Sequence, residues 1–386
     1  MDPRRIYTFQ MPARVVFGAE ASKMVGDEFR GLGASKVLVV TDQGIRKAGL
    51  LDGILESLRK AEMQWAVYDG VQANPTVSCV EEAAALYRKE SCDGILGLGG
   101  GSSMDTAKAA GVLITNPGRI TDYEGRGKVK NQLPPFIAIP TTCGTGAEVT
   151  FNAVITDPAR SFKFTVNSPL GVPKVAVIDP LLLVNLPGPI VASTGMDALT
   201  HAVESYTNLN VQPVSDALNI HAIKLIGQHL RPAVANGNLD SIANMVLASA
   251  ITGMGFTNTA LTIVHAMSHP LGARAGLAHG VANALLLPYV MEWNLIGASQ
   301  RFADIARALG EDTAGLTEME AAELSVEAVR RLSIDVGIPQ TLREVGITPD
   351  MIPALADDSM LSANVPVNPR RVRREDIVAV FERALG

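Results

Sequence analysis

Asp197 and His201 stand four residues apart in Gly195-Met196-Asp197-Ala198-Leu199-Thr200-His201, a spacing that puts a carboxylate and an imidazole on one face of a helix. Two such groups can grip one metal ion. Further on, Val264-His265-Ala266-Met267-Ser268-His269-Pro270 and Ala278-His279-Gly280 bring three more imidazoles, so four of the chain's six histidines fall in three short blocks. His265, from another helix, and His279, from the loop after it, would complete a set of one carboxylate and three neutral imidazoles. Such a set suits iron, zinc, nickel or cobalt better than magnesium or calcium. His269 would lie near His265 if the helix continued, but Pro270 biases it out of helical geometry, so it reads as a residue behind the ligands or a proton relay. The plainer alternative is that the histidines are packed core residues; His221 and His229, on a polar-apolar helix, are most simply surface or core histidines.

A second chemistry lies in Gly97-Leu98-Gly99-Gly100-Gly101-Ser102-Ser103-Met104-Asp105-Thr106-Ala107-Lys108, between an expected strand and an expected helix. Gly99, Gly100 and Gly101 let a ligand approach the backbone, and the amides of a helix start favour a pyrophosphate. Ser102 or Ser103 would cap that helix. The block is neither a Walker A loop nor a literal GxGxxG, and a turn used only for packing is the competing reading. Asp42, just after a strand, would hydrogen-bond a ribose hydroxyl and repel a 2′-phosphate, favouring NAD over NADP; a surface aspartate opening a turn is the bland alternative. In an ordinary dinucleotide unit the glycine loop precedes that acid, and here the order is reversed. The run Pro140-Thr141-Thr142-Cys143-Gly144-Thr145-Gly146 follows another strand and supplies hydroxyls to the same sheet edge. Cys143 reads as a small buried filler ahead of a nucleophile.

The elements that must position these groups follow from periodicity. Short β-rich runs at Lys36 to Thr41, Trp65 to Tyr68, Gly94 to Leu98, Phe136 to Ile139 and Val175 to Ile178 alternate with helical patterns at Leu51 to Ala61, Val77 to Glu90 and Met104 to Thr115. Continuous apolar strands alternating with helices argue for a parallel sheet covered on both faces. Leu186-Pro187-Gly188-Pro189 interrupts this order, and beyond it the pattern is helical: Met196 to Thr207, Val214 to His229, Ser241 to Phe256, Ala282 to Trp293, Ser299 to Leu309 and Ala321 to Val336. The expected fold is a Rossmann-like α/β domain over 1–187, holding a dinucleotide, followed by an all-α domain over 188–386 for metal and catalysis.

Composition removes several classes. A chain of 386 residues with 47% hydrophobic and 19% charged residues has an ample core, and its net charge of −6 offers no field to attract nucleic acid. Cys79, Cys92 and Cys143 form no CxxC, so neither a disulfide framework nor a thiolate zinc site is expected, and a reducing cytoplasm fits. No stretch reads as an export signal or as about 18 apolar residues suited to a membrane span.

With these residues assembled, the sequence resembles the iron-dependent, group III alcohol dehydrogenases, the family that includes lactaldehyde reductase and propanediol dehydrogenase. The resemblance runs from Pro12-Ala13-Arg14-Val15-Val16-Phe17-Gly18 to Val367-Asn368-Pro369-Arg370, through the glycine block, the threonine run, the Asp197/His201 block and the His279-Gly280 pair. It implies a dehydroquinate synthase-like architecture and a divalent metal, Fe2+ before Zn2+, on Asp197, His201, His265 and His279. It also implies NAD(H) contacting Asp42, Asn74, Gly99 to Ser102, Thr141, Thr142, Thr145 and Lys163. Asn152 and Phe256 become pocket residues by the same likeness, and His269 the group that passes the proton to or from solvent. The implied reaction is hydride transfer between a small alcohol or diol, or its aldehyde, and the nicotinamide, in a homo-oligomer of two or more chains. The sequence departs from the family at Arg274-Ala275, where many members carry two aromatics, at Ala278 for a usual proline and at Tyr289 for a frequent histidine. Arg274 is either a partner for a substrate carboxylate or a solvated loop residue. Two rivals stand beside this reading. One is a dehydroquinate synthase-like lyase, disfavoured because Lys224 is the sole lysine after residue 187; the other is a metal-free dinucleotide binder.

Overall fold

A computed structural model describes residues 4–11, 13–160 and 162–386; Pro12, the first residue of the family resemblance, lies outside them. The chain forms two compact units, one of Met11–Asn185 and one joining residues up to Gln10 with Leu186–Gly386.

The first unit runs β1 (Arg14–Phe17), α1 (Val25–Gly31), β2 (Lys36–Val40), α2 (Gln43–Lys47), α3 (Leu50–Lys60), β3 (Gln64–Tyr68), α4 (Val77–Lys89), β4 (Gly94–Gly99), α5 (Gly101–Thr115), β5 (Gly125–Arg126), β6 (Phe136–Pro140), β7 (Asn152–Asp157), β8 (Phe162–Asn167) and β9 (Val175–Ile178). Six strands make one sheet in the order β1-β9-β6-β4-β2-β3, every neighbouring pair parallel. Both faces are buried. In β2, Val37 and Val39 join the core against α1 and α3, with Phe29, Ile54 and Leu58, while Leu38 and Val40 join the core against α4 and α5, with Val80, Ala84 and Ala107. Successive strand residues point to opposite faces, which is why these strands read as unbroken apolar runs. The antiparallel pair β7–β8, extended by β5, forms a second, small sheet that the sequence pattern did not announce. Its inward residues Ala153, Ile155, Phe164 and Val166 pack on the α4/α5 side.

The second unit is helical: α6 (Gly188–Thr207), α7 (Pro213–Asn236), α8 (Leu239–Phe256), α9 (Ile263–Ala275), α10 (His279–Asn294), α11 (Ser299–Ala308), α12 (Glu318–Asp335), α13 (Ile352–Met360) and α14 (Arg374–Leu385). The proline pair around Gly188 opens α6, with Pro189 in its first turn, where a missing N–H costs nothing. Gln10 belongs here, exchanging hydrogen bonds of 2.8 and 3.0 Å with the side chain of Asn258. One sequence expectation needs correction: α8 is long and apolar enough, by length and composition, to cross a membrane. Asp240 and Asn244 break its apolar run in sequence, and in the structure it packs against α6 and α7 as a core helix.

Candidate metal centre and phosphate cradle

Asp197 and His201 lie one turn apart on α6, His265 in the first turn of α9, and His279 is the first residue of α10. Their donor atoms all lie within 4.8 Å of one another, and the first three residues are buried. Gly280 brings α10 this close: a Cβ there would stand 2.6 Å from the Ser193 carbonyl oxygen of α6, so only glycine permits the approach. His279 therefore arrives from a helix start rather than from a loop.

The protonation pattern favours cation binding. Burial, then the nearby His201 and His279 rings, holds His265 well below the usual imidazole range, so it is neutral. Burial works to raise the Asp197 carboxyl, but His201, His279 and His265, with a hydrogen bond from Asn283, hold it below the usual carboxylate range. His201 Nδ1 is buried without a hydrogen-bond partner, 3.9 Å from Asp197 Oδ2, and its Nε2 lies 3.0 Å from His265 Nε2. Imidazole nitrogens facing each other around a buried carboxylate lack a positive charge between them, and a divalent transition ion fits this donor set.

Two residues of this cluster escaped the sequence reading. Asn283, on α10 one turn after His279, places its amide nitrogen 2.6 Å from Asp197 Oδ1, 3.0 Å from His265 Nε2 and 3.1 Å from His279 Nε2. Glu204, one turn after His201 on α6, is 1% exposed and its carboxylate contacts His265 Nδ1. The signal was present in both cases as helical spacing, Asp197-x-x-x-His201-x-x-Glu204 and His279-x-x-x-Asn283.

His269 differs from expectation in its backbone. α9 nevertheless continues through Pro270, its eighth residue, to Ala275, with the proline ring forgoing the backbone bond that an N–H there would make one turn back. The half-buried His269 ring lies 5.5 Å from His279 and 6.2 Å from His265, between centroids. Phe256 stacks on His201 at 4.6 Å and 18°. Arg274 donates to Asp358 Oδ2 at 2.6 Å, which occupies the guanidinium proposed for a substrate carboxylate. Tyr289 donates to the Gln340 carbonyl at 2.8 Å. His221 is exposed and His229 half-buried.

In the α/β unit the reversed order of Asp42 and the glycine block is resolved by topology. From β2 the chain steps outward to β3 and then returns to place β4 on the other side of β2. The C-terminal ends of β2 and β4 thus flank a topological switch point, where open parallel sheets bind ligands. Asp42 follows β2, Gly99 to Ser102 follow β4, and Thr141 follows the adjoining β6, with its N–H donating to the Gly99 carbonyl at 2.9 Å. Gly99 has φ +144°, and a Cβ on it would meet Ser103 Oγ at 2.5 Å, so the turn demands glycine.

Neither Ser102 nor Ser103 caps α5. Gly100 is the N-cap, without a side-chain bond, and Ser103 Oγ instead donates to Asp42 Oδ2 at 3.3 Å. The first amides of α5 are therefore left without a side-chain acceptor, which suits a phosphate. Asp42 Oδ1 caps α2 through the N–H groups of Gly44 at 2.7 Å and Ile45 at 3.0 Å. Asn74, at φ +58°, accepts from Lys163 Nζ at 2.8 Å, and burial holds the Lys163 ammonium below its usual range. Thr145 Oγ1 accepts from the Ala147 N–H at 3.2 Å, a Cβ on Gly100 would meet Thr142 Cγ2 at 3.3 Å, and Cys143 is fully buried. Asn152 opens β7, its carbonyl accepting from Lys108 Nζ at 2.8 Å.

A switch-point cradle in a parallel sheet and a one-carboxylate, three-imidazole cluster in a helical unit are the parts of a metal-dependent dehydrogenase. Comparison with known proteins agrees. The family model for iron-containing alcohol dehydrogenase matches residues 12–180, and that for the C-terminal part of the Fe-containing alcohol dehydrogenase family matches residues 191–385. The chain belongs to the iron-containing alcohol dehydrogenase family, and is accordingly an oxidoreductase. A 1,3-propanediol dehydrogenase of Citrobacter freundii is 44% identical over 98% of this chain and 99% of its own length. A crystal structure of 1,3-propanediol oxidoreductase superposes with a TM-score of 0.97 at 42% identity, covering 99% of this chain and 100% of that one. The sulfoacetaldehyde reductase of Bifidobacterium kashiwanohense, solved in complex with NAD+, follows at a TM-score of 0.89 and 30% identity, covering 98% of this chain and 99% of that one. Family membership favours the dehydrogenase over the lyase and over the metal-free binder.

Proposed function

We propose that this chain transfers hydride between a small alcohol or diol, or the corresponding aldehyde, and NAD(H), with ferrous iron, or zinc in its place, held by Asp197, His201, His265 and His279. The observation that carries the metal assignment is the convergence of those four donors within 4.8 Å in a largely buried place. A bound divalent ion would supply Lewis acidity toward the alcohol oxygen, and a bound nicotinamide the hydride acceptor. The rest is work for the chain. Asp197 contributes the one negative charge among the four ligands, so a divalent ion with those ligands would keep a net positive charge. His269 lies beside His279 and is half open to solvent, which suits it to move the hydroxyl proton outward in oxidation and inward in reduction. Phe256 braces His201 by stacking and presents an apolar wall to a short carbon chain; Asn152 is a polar pocket candidate.

The dinucleotide reading places the pyrophosphate at Gly99, Gly100, Gly101 and Ser102, with Thr141, Thr142, Thr145, Asn74 and Lys163 around it and Asp42 toward the ribose. A carboxylate at that place repels a 2′-phosphate and favours NAD. The NAD+ complex of the sulfoacetaldehyde reductase supports the choice of cofactor, and the propanediol dehydrogenase supports a small diol. In this reading residues 1–187 serve the dinucleotide and 188–386 the metal and catalysis. A homo-oligomer is consistent with exposed Leu209, Ile296 and Leu361, and a cytoplasmic setting with three buried cysteine thiols.

The test pairs metal content of anaerobically purified protein with NADH oxidation against short aldehydes, before and after chelation. About one iron or zinc per chain, with turnover lost on chelation and restored by the metal, is expected. Turnover that survives complete removal of metal refutes the reading.

A further inference from the structure

Among the described residues, Glu204 is the carboxylate in contact with the imidazole cluster that the four-ligand reading leaves without a task. It is fully buried on α6, where Thr262, Val264 and His265 surround it. Thr262 Oγ1 donates to Oε1 at 2.6 Å, the Val264 N–H at 2.7 Å and the His265 N–H at 3.4 Å, while His265 Nδ1 contacts Oε2. Thr262 is the N-cap of α9 but makes no side-chain cap of its own. Glu204 therefore caps α9 from a neighbouring helix, where a negative charge complements the helix dipole. As a carboxylate Glu204 can only accept, and His265 Nδ1 then carries the proton. The lone pair of His265 is then confined to Nε2, the atom that faces His201 Nε2 and Asn283 Nδ2 at 3.0 Å each.

We propose that Glu204 is the positioning residue of the metal centre: it holds His265 in the Nδ1–H tautomer and fixes its ring so that Nε2 is presented to the ion. The inference rests on the four-ligand reading of the site. It follows from the donor set in a way that glutamine cannot reproduce, because an amide has one acceptor oxygen. If the NH2 group of Glu204→Gln faces His265, the proton must move to Nε2 and block the ligand atom. If it faces Thr262 and Val264 instead, N–H meets N–H at the start of α9. Carboxylates behind metal-bound histidines tune affinity in this way, and their loss typically costs about 10–100-fold in metal binding.

The experiment uses the full-length chain labelled with 15N-histidine, loaded with zinc and after chelation, as wild type, E204Q, E204D and H265A. Long-range 15N–1H correlation reads the His265 tautomer, assigned by its loss in H265A, and competition with a chromophoric chelator reads zinc affinity. We expect Nδ1–H in the chelated wild type, a shift toward Nε2–H in E204Q with zinc affinity lower by about 10–100-fold, and partial recovery of both in E204D. A purely structural role for Glu204 would leave the tautomer unmoved. An Nε2–H tautomer in the chelated wild type overturns the inference, and this measurement decides the matter even if E204Q yields no soluble protein. Unchanged affinity and tautomer in folded E204Q also overturn it. Failure of the underlying reading looks different: H265A would then bind zinc as the wild type does.

Discussion

Glu148→Gln should stabilise the α/β unit in alkaline solution, although it removes a charge next to a lysine. Glu148 is 1% exposed, and its Oε1 has no hydrogen-bond partner. Burial pushes its carboxyl up from 4.5 to about 7, against the pull of the Lys108 ammonium. A raised acid contributes stability that is complete below the unfolded value and is lost as pH rises through the folded one, here between 4.5 and about 7. That gap corresponds to about 3 kcal/mol at pH 8. Glutamine is isosteric with the protonated acid and escapes the loss. Part of the gain, about 1 kcal/mol, is returned because Lys108 loses a favourable neighbour. Burial already lowers Lys108 to about 8, and it keeps Thr150 Oγ1 at 3.0 Å and the Asn152 carbonyl at 2.8 Å. The net expectation is about 1–3 kcal/mol in favour of E148Q at pH 8, closing toward zero near pH 4.5. Trp65 lies on β3 and the chain's other tryptophan, Trp293, on α10. Urea unfolding followed by indole fluorescence in a Trp293→Phe background therefore reports the α/β unit. A variant less stable than its parent by the same amount at pH 5 and pH 8 would refute the reasoning, since the attraction of the Lys108 charge would then outweigh the burial of Glu148.

Two further outcomes concern the sites. His265→Ala should reduce bound metal from about one per chain to near zero and turnover by about a thousandfold or more, while the NADH dissociation constant, read by fluorescence, stays within about twofold; near-normal turnover would remove His265 from the metal centre. Asp42→Gly should raise the ratio of NADP to NAD efficiency by about 10–100-fold, as expected for removing roughly 1–3 kcal/mol of repulsion, at a cost of only a few tenths of a kcal/mol in the cap of α2. An unchanged kcat/KM ratio would assign Asp42 to capping alone.

Much of this was legible because strand and helix periods leave different marks. Val37 to Val40 are apolar without interruption since both faces of β2 are covered, and that pattern located the strand. Strand order was not legible: nothing local in the sequence says that β4 returns to the far side of β2, and so Asp42 seemed to come in the wrong place. The β7–β8 pair was missed because Asn152 to Asn167 mixes polar and apolar residues around a turn, with only alternate positions such as Ala153 and Ile155 buried. Pro270 suggested a helix end that the structure does not have. The convergence of Asp197, His201, His265 and His279 was legible because histidines are rare in this chain. Glu204 and Asn283 were not, since one of many acids and one of many amides becomes informative only when its neighbours in space are known.

With the proposed ligand set, the arrangement on α6 would link metal occupancy to folding. Asp197, His201 and Glu204 occupy one face of a single helix, and Glu204 also anchors the first turn of α9, so fraying that stretch would release the metal donors and the cap of a second helix together. An ion that binds only the folded form adds stability of RT ln(1 + [M]/Kd), about 3 kcal/mol at a hundredfold excess over Kd. Local opening of α6 and α9, and hence access by proteases, then becomes a function of free metal concentration. In a metal-poor cell, inactive chains would be the ones most readily degraded, and the pool of surviving protein would be enriched in loaded enzyme without any dedicated sensor.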